Sequence, residues 1–222
     1  MVLIYFFMAF VSTSEAALSS LQLKDKIINS IATSKEFKQD MLPSPYNYLL
    51  TQALMTLGIE QYYQRTPIIQ TIFAQKNQHD NTYSRIIIML VDSNQTRNDA
   101  KQALKIKEQI PVELALITMN FNELPLKFIN DVLHSNVPFG KLLIKHHIKT
   151  TSSSRKYFLI PCNETFASLI HCDLNSAIYG RNNTITQADN QKWLAHVIEI
   201  LPVAKIARSK ANIKSKHSSG FN

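Results

Sequence analysis

Two charged residues stand in segments that are otherwise apolar and have the composition of β-strands. Arg85 leads into the run Ile86–Val91, and Glu199 lies within Val197–Leu201. An ionised side chain buried without a partner costs several kcal/mol, so each charge needs a counterpart. The residues alone favour a simple arrangement, in which Arg85 and Glu199 pair with each other or face solvent through the two-residue alternation of a strand. The alternative is that they hold a ligand.

Histidine and cysteine form no metal-binding pattern in the sequence. His146 and His147 are adjacent, so their side chains diverge in a helix and point to opposite faces in a strand. No CxxC or HExxH motif is present, and no metal site is predicted.

The periodicity of apolar residues predicts the elements that must position Arg85 and Glu199. Leu21–Met41 has helical spacing, and a second helix is predicted over Tyr46–Leu57, with Gly58 as its cap. Shorter helices are predicted within Asn98–Glu108 and over Glu123–Leu133. Six segments rich in β-branched and aromatic residues are predicted strands: Thr66–Ala74, Tyr83–Val91, Pro111–Phe121, Lys156–Ile160, Ala177–Ile185 and Trp193–Leu201. The prediction is an α+β fold, a six-stranded antiparallel sheet with helices packed on it.

The order of several short motifs resembles that of the chorismate lyase (chorismate–pyruvate lyase) family. The motifs, spread over about two-thirds of the chain, are Met55-Thr56, Arg85 at the start of a strand, Pro138-Phe139-Gly140 for the family's Pro-Leu-Gly turn, Tyr179-Gly180-Arg181 for its Trp-Gly-Arg, and Leu194–Pro202 for its closing strand. The family's fold is shared with small-acid-sensing domains of transcriptional regulators. The resemblance therefore implies a pocket for one small aromatic acid, enclosed between the sheet and helical flaps.

The resemblance also implies roles for individual residues. Arg85 would grip the ring carboxylate in a bidentate pair, and backbone N–H groups near Met55 and Phe139 would add hydrogen bonds. Glu199 would lie at the opposite end, beside the ring hydroxyl, and with Arg85 would serve as a catalytic residue. The implied reaction converts chorismate to 4-hydroxybenzoate and pyruvate, as in ubiquinone biosynthesis, and uses no cofactor. The expected partner is a small aromatic carboxylic acid, bound by a monomer.

The sequence also departs from the family's pattern. The glycine–arginine pair of the lyases is absent from Pro111–Phe121, where Glu113 and Leu116 stand instead, and the excursion Asp92–Gln109 is longer and more polar. These departures support an alternative function, a non-catalytic binding protein for a small aromatic acid.

The two ends of the chain are predicted to lie outside a domain of residues 17–204. The apolar run Val2–Val11, followed by Ser14 and Ala16, has the form of a signal peptide or N-terminal anchor over residues 1–16. Export to the periplasm or the medium is expected if that segment acts as a signal, and a cytoplasmic location otherwise. Cys162 and Cys172 would form a disulfide bond in an exported protein and be two buried thiols in the cytosol.

The net charge of +8 is concentrated at the C-terminus. Five basic residues and no acid lie between Lys205 and Asn222, so residues 205–222 are predicted to be a disordered basic tail. The tail would make at most a weak contact with an anionic surface. No specific nucleic-acid binding is expected, because no known recognition motif accompanies the charge.

Overall fold

A computed structural model describes residues 20–94 and 96–202, which form one antiparallel sheet with helices on both faces. The signal segment and the basic tail predicted above lie outside the described residues. The strands are β1 (Lys35–Phe37), β2 (Ile68–Asn77), β3 (Thr82–Asp92), β4 (Gln109–Asn120), β5 (Thr150–Pro161), β6 (Ala177–Gln187) and β7 (Trp193–Leu201). Their order across the sheet is β1-β5-β6-β7-β4-β3-β2, so β7 and β4 occupy the middle.

Seven helices pack against this sheet within the described part of the chain. They are α1 (residues 20–32), α2 (Tyr46–Leu49), α3 (Met55–Tyr63), α4 (Ala100–Lys105), α5 (Leu126–His134), α6 (Phe139–Lys145) and α7 (Glu164–Ile170), and a single 3-10 turn covers Gln39–Met41. Among the described residues, no helix has the length and apolar character needed to cross a membrane.

The sheet separates two hydrophobic cores. Alternation along β3 sends Ile87 and Met89 to one face, called here the cavity face, which α2, α3, α5 and α6 cover. Ile86, Ile88 and Leu90 point to the opposite face, which α1 and α7 cover. Because both faces are buried, the central strands are apolar on both sides, and any charged residue in them has to be accommodated inside the protein.

The α+β class and the antiparallel sheet predicted from sequence are confirmed, with differences in the first part of the chain. The predicted strand count is one short, because the short segment Lys35–Phe37 pairs with β5 and adds an edge strand. The first helix therefore ends at residue 32 and does not continue to Met41. The predicted helix over Tyr46–Leu57 is wrong: residues 50–54 interrupt it, and Gly58 lies inside α3.

A disulfide bond joins Cys162, which directly follows β5, to Cys172, beyond the end of α7. Of the two alternatives left open by the sequence, the structure has the bridge. It closes a loop of sequence separation 10 that contains α7, whose Phe166 and Ile170 are buried in the core opposite the cavity face.

Replacing both cysteines with alanine is expected to lower the free energy of unfolding by about 3 kcal/mol, because a bridge across a loop of this length restricts the unfolded chain. Urea unfolding of the double variant beside the oxidised wild type measures the difference. Reduced wild type is the control, since it keeps both sulfur atoms while losing the bond. Equal stability of oxidised and reduced wild type would contradict the prediction.

Candidate functional site

A cavity lies between the cavity face of the sheet and the first turns of α3 and α6. Its volume is about 30 Å³, which is the room of one or two water molecules. The walls are therefore close together, and a ring fits between the sheet and the helices only if the covering turns move apart. The lining residues are Ala53, Leu54, Met55, Thr56, Ile69, Arg85, Ile87, Met89, Glu113, Ala115, Ile117, Pro138, Phe139, Gly140, Arg181, Ile185, Val197 and Glu199.

The strand register places the charged residues of the cavity at two ends. Arg85 on β3 is opposite Ile117 on β4, whereas Glu113 is opposite Met89, four residues further along the same pair of strands. Glu199 on β7 lies between Ala115 on β4 and Arg181 on β6. Standard strand geometry puts the Cα atom of Arg85 roughly 12 Å from that of Glu199 and roughly 14 Å from that of Glu113.

Arg85 is a buried cation without a carboxylate partner among the described residues. The residue is 2 % exposed, and its Nη1 atom donates to the carbonyl oxygen of Val132 at 3.3 Å. Its Nε and Nη2 groups are buried and have no hydrogen-bond partner in the described structure. Burial lowers the pKa of Arg85 to about 10, so the guanidinium remains charged at neutral pH. Buried donors are nearly always paired, and such an exception in a cavity marks a place for a ligand acceptor.

Glu199 is paired with Arg181 and not with Arg85. The Arg181 Nε group donates to the Glu199 carboxylate in a buried ion pair. The arrangement that the sequence alone favoured, in which Arg85 and Glu199 pair or face solvent, is therefore wrong. Gly180, the residue before Arg181, lets the Phe158 ring pack on the other face of the sheet, because a Cβ atom there would clash with that ring.

Glu113 is the second carboxyl group at this end of the cavity. It is 2 % exposed, and its buried Oε2 atom has no hydrogen-bond partner within the described residues. Burial, reinforced by the nearby charge of Glu199, raises the pKa of Glu113 well above its usual range, while Arg181 opposes the shift. The two adjacent carboxyl groups therefore differ, because Glu199 is ion-paired whereas the surroundings of Glu113 favour its protonated form.

The cavity is closed on the helix side by two first turns that approach each other closely. Neither α3, which follows Leu54, nor α6, which follows Pro138, has a side-chain cap. A Cβ atom at Gly140 would lie 3.0 Å from the Thr56 Oγ1 atom, so a glycine here lets the turns meet. N–H groups of a first turn are left outside the helix ladder and carry partial positive charge, which favours an acceptor oxygen in the cavity.

Two arginines hold the segment that leads into α3. Arg181 Nη1 donates to the carbonyl oxygens of Leu50, at 2.8 Å, and of Gln52. Arg155 on β5 donates to the carbonyl oxygen of Thr51 at 2.8 Å and to that of Gln52 at 3.3 Å. The side chain that pairs with Glu199 therefore also fixes the covering segment of the cavity.

All four site residues predicted from the sequence line this one cavity: Met55, Arg85, Phe139 and Glu199. Their binding and catalytic roles remain predictions. Sequence reasoning did not include Glu113 and Arg181 in the site, although both line it. The signal that singled out Glu199, a charge in an apolar strand, is equally present at Glu113.

As for metals, the described residues contain no group of three or more histidine, cysteine, aspartate or glutamate side chains that could hold an ion.

Comparisons with known proteins show likeness at the level of structure only. No protein-family model matches the sequence, and no curated protein matches it. The structure is similar to that of PhnF from Mycobacterium smegmatis, at 8% identity and a TM-score of 0.46 over 69% of this chain and 65% of that chain. It is also similar to a GntR-family transcriptional regulator from Bacillus cereus, at 10% identity and a TM-score of 0.41 over 62% of this chain and 92% of that one. At these values neither likeness transfers a function, and the function is argued from the cavity itself.

Proposed function

We propose that this protein binds a small aromatic monocarboxylic acid in the cavity without transforming it. Arg85 carries the proposal, because it is a buried guanidinium with two donor groups that no described residue accepts from. A carboxylate accepts two parallel hydrogen bonds from a guanidinium and neutralises its charge. The first turns of α3 and α6, which start at Met55 and Phe139, add N–H donors from the helix side of the cavity.

The balance of charge in the cavity supports a ligand with a single negative charge. Arg181 is neutralised by Glu199, and burial together with the charge of Glu199 raises the pKa of Glu113, which favours its uncharged form. Arg85 alone is left uncompensated. A monocarboxylate completes this balance, whereas a dicarboxylate brings a second charge into a site without a second free cation among its described lining residues.

The walls between the charged ends support an aromatic ring. Ile87, Met89, Ala115, Ile117 and Val197 line the sheet side of the cavity, and the two walls are close together. Of the possible apolar groups, a flat ring needs the smallest separation of these walls and loses little conformational freedom between them, and a methionine sulfur is a favourable neighbour for it.

Chorismate lyase activity is the second candidate, and the two carboxyl groups at the far end favour it. An ion-paired carboxylate beside a carboxyl group of raised pKa forms a suitable pair for removing a ring proton and protonating a leaving group. Two features support the binder over the lyase. Chorismate carries two carboxylates, and Glu199, the residue proposed to act on the ring, is already ion-paired with Arg181.

We further propose that the binder is exported. The bond between Cys162 and Cys172 supports this location, because disulfides persist mainly in oxidising compartments. The predicted signal segment supports it independently.

Isothermal titration calorimetry with benzoate and with benzamide tests the binding function. Benzoate is expected to bind, and benzamide, which has the same shape without the charge, is expected to bind at least about a hundredfold more weakly, as befits a charge-assisted bidentate contact. Arg65, which lies outside the cavity lining, provides a control variant, Arg65→Met, that should bind like wild type. Equal affinity for benzoate and benzamide would refute the proposal.

The enzyme candidate has a separate test. Incubation with chorismate at high protein concentration, followed by chromatography for 4-hydroxybenzoate, would show product if the protein is a lyase. Turnover that disappears in Glu199→Gln while benzoate binding persists would establish the lyase and replace the non-catalytic proposal.

A further inference from the structure

A bulge in β5 lies beside the cavity, next to the segment that leads into α3. The register of β5 against β6 shifts between Ser153 and Lys156. Ser154 and Arg155 therefore stand together opposite a single residue, Asn183. Ser154 has a φ of 54°, a backbone conformation that residues other than glycine rarely adopt. Bulges re-aim side chains and are frequent next to active sites, and this one brings the guanidinium of Arg155 to the covering segment.

Arg155 uses only part of its hydrogen-bonding capacity. Its Nη1 group donates to the carbonyl oxygen of Thr51 at 2.8 Å. Its Nη2 group makes two longer contacts, at 3.2 Å to the Ser152 hydroxyl and at 3.3 Å to the carbonyl oxygen of Gln52. Its Nε group is buried and has no hydrogen-bond partner in the described structure. None of these contacts is with a carboxylate, so Arg155 is a half-buried cation without an acidic partner among the described residues.

Arg97 shows what the same two groups, Nε and Nη2, do when an acid is present. They donate to the two carboxylate oxygens of Asp92 at 2.6 and 2.9 Å. A planar guanidinium matches a carboxylate in this way, and the contact neutralises both charges. Arg155 presents the same edge of its guanidinium with no described acid against it.

Asn183 adds a third donor at the same place. The residue is 0 % exposed, its Oδ1 atom accepts from the Ser152 hydroxyl at 2.7 Å, and its buried Nδ2 group has no hydrogen-bond partner among the described residues. Ser152 also contacts Arg155, so one hydroxyl joins the two side chains that carry the unpaired Nε and Nδ2 groups. Both groups can only donate, and the atom that satisfies them is therefore an acceptor.

We propose that Arg155 and Asn183 form a second acid-binding site, which takes the carboxylate group of a small monocarboxylic acid. Neither residue lines the cavity, although Arg181 and Ile185, the neighbours of Asn183 on the same face of β6, do. The site is therefore separate from the one that Arg85 defines. Its single positive charge balances one carboxylate, whereas a dianion would leave a surplus charge beside the carbonyl oxygens of the covering segment. Because the Nε and Nδ2 groups are buried, the acid reaches them when that segment moves aside.

Titration of the oxidised, ¹⁵N-labelled full chain with acetate, followed by NMR, tests the site. The Arg155 Nε and Asn183 Nδ2 signals are expected to shift together and to saturate, whereas the Arg97 Nε signal, whose donors Asp92 already occupies, should stay in place. Acetamide, which has the same shape without the charge, should act at least about tenfold more weakly. Arg85→Met, which removes the cation of the cavity, should leave the response at Arg155 unchanged.

Asn183→Asp is the sharpest variant, because it keeps the shape of the side chain and supplies a carboxylate from within the protein. It is expected to abolish the acetate response of Arg155 and to move the Arg155 Nε signal towards its acetate-bound position without added acid. Asn183→Leu removes the third donor and should weaken acetate binding about tenfold, the value of one buried hydrogen bond.

The remaining outcomes count against this inference. Acetate that shifts neither signal overturns it, as do equal responses to acetate and acetamide. A stronger response to inorganic phosphate than to acetate would show a site for multivalent oxyanions and overturn the assignment to a carboxylate. An acetate response that persists in Asn183→Asp contradicts the role of Asn183. If that variant does not fold, the comparison of acetate, acetamide and phosphate on wild type still decides. Failure of benzoate to bind would sink the proposed function alone, because this site is measured with acetate at Arg155.

Discussion

Replacing Arg85 with methionine is expected to abolish acid binding and, at the same time, to raise the free energy of unfolding of the ligand-free protein by about 1–3 kcal/mol. The binding loss follows from removing the cavity's uncompensated cation. The gain in stability follows because two buried donor groups without partners disappear, and a flexible apolar chain of similar length takes their place. Urea unfolding and calorimetry with benzoate measure the two effects.

Two further substitutions at position 85 serve as controls. Arg85→Lys keeps the charge but not the planar fork, so residual acid binding of lower affinity is expected. Arg85→Ala removes most of the side chain, so the cavity enlarges and the stability gain should be lost. If Arg85→Met is less stable than wild type without ligand, Arg85 has a stabilising partner in the protein, and the argument for a missing ligand acceptor collapses.

The expected gain in stability is what distinguishes an arginine that serves ligand binding from one that serves folding. Structural arginines are expected to resemble Arg181, which donates to one carboxylate and two carbonyl oxygens. Arg85 makes a single bond of 3.3 Å to Val132. The contrast between two buried arginines in one cavity therefore supports a ligand role for Arg85 more strongly than its burial alone does.

The strands were predictable because their signal is long and local. The predicted strand Tyr83–Val91 differs from β3 by one residue at each end, and Trp193–Leu201 coincides with β7. Long runs of β-branched and apolar residues buried on both faces have few competing structures. These runs determine the fold class, and alternation along them determines which side chains share the cavity face.

The interruption of the second helix was not predictable from its own residues. A continuous helix over Tyr46–Leu57 would use the carbonyl oxygens of Leu50, Thr51 and Gln52 in its own hydrogen-bond ladder. In the structure, Arg155 and Arg181 take those oxygens. Both arginines lie more than a hundred residues further along the chain, so a local pattern carries no trace of them.

The pairing of charges was predictable only in part. Arg85 and Glu199 were recognised as charges in apolar strands, but the register that puts Arg181 opposite Glu199 decides which of them is paired. The turn between β6 and β7 sets that register, and a bulge between Ile185 and Thr186 shifts it, an irregularity that alternation of residue types does not reveal.

Replacing Arg181 with leucine is expected to lower the free energy of unfolding by about 3–5 kcal/mol, the largest loss predicted for this cavity. The substitution leaves Glu199 buried without its partner and frees the carbonyl oxygens of Leu50 and Gln52, and a stranded charge costs more than the pair contributed. Urea unfolding near neutral pH measures the loss. Arg155→Leu is the matched control, because it also releases this segment but breaks no ion pair; about 1–2 kcal/mol is expected there.

The double variant Arg181→Leu/Glu199→Leu separates the two parts of that cost. Removing both members of the pair eliminates the stranded charge, so most of the lost stability should return, and the remaining deficit should be similar to that of Arg155→Leu because only the hold on residues 50–52 is missing. If the double variant is as unstable as Arg181→Leu, the cost comes from the covering segment and not from the charge. In that case Arg181 acts mainly as a clamp on the cavity's cover, and its pairing with Glu199 contributes little to the stability of the protein.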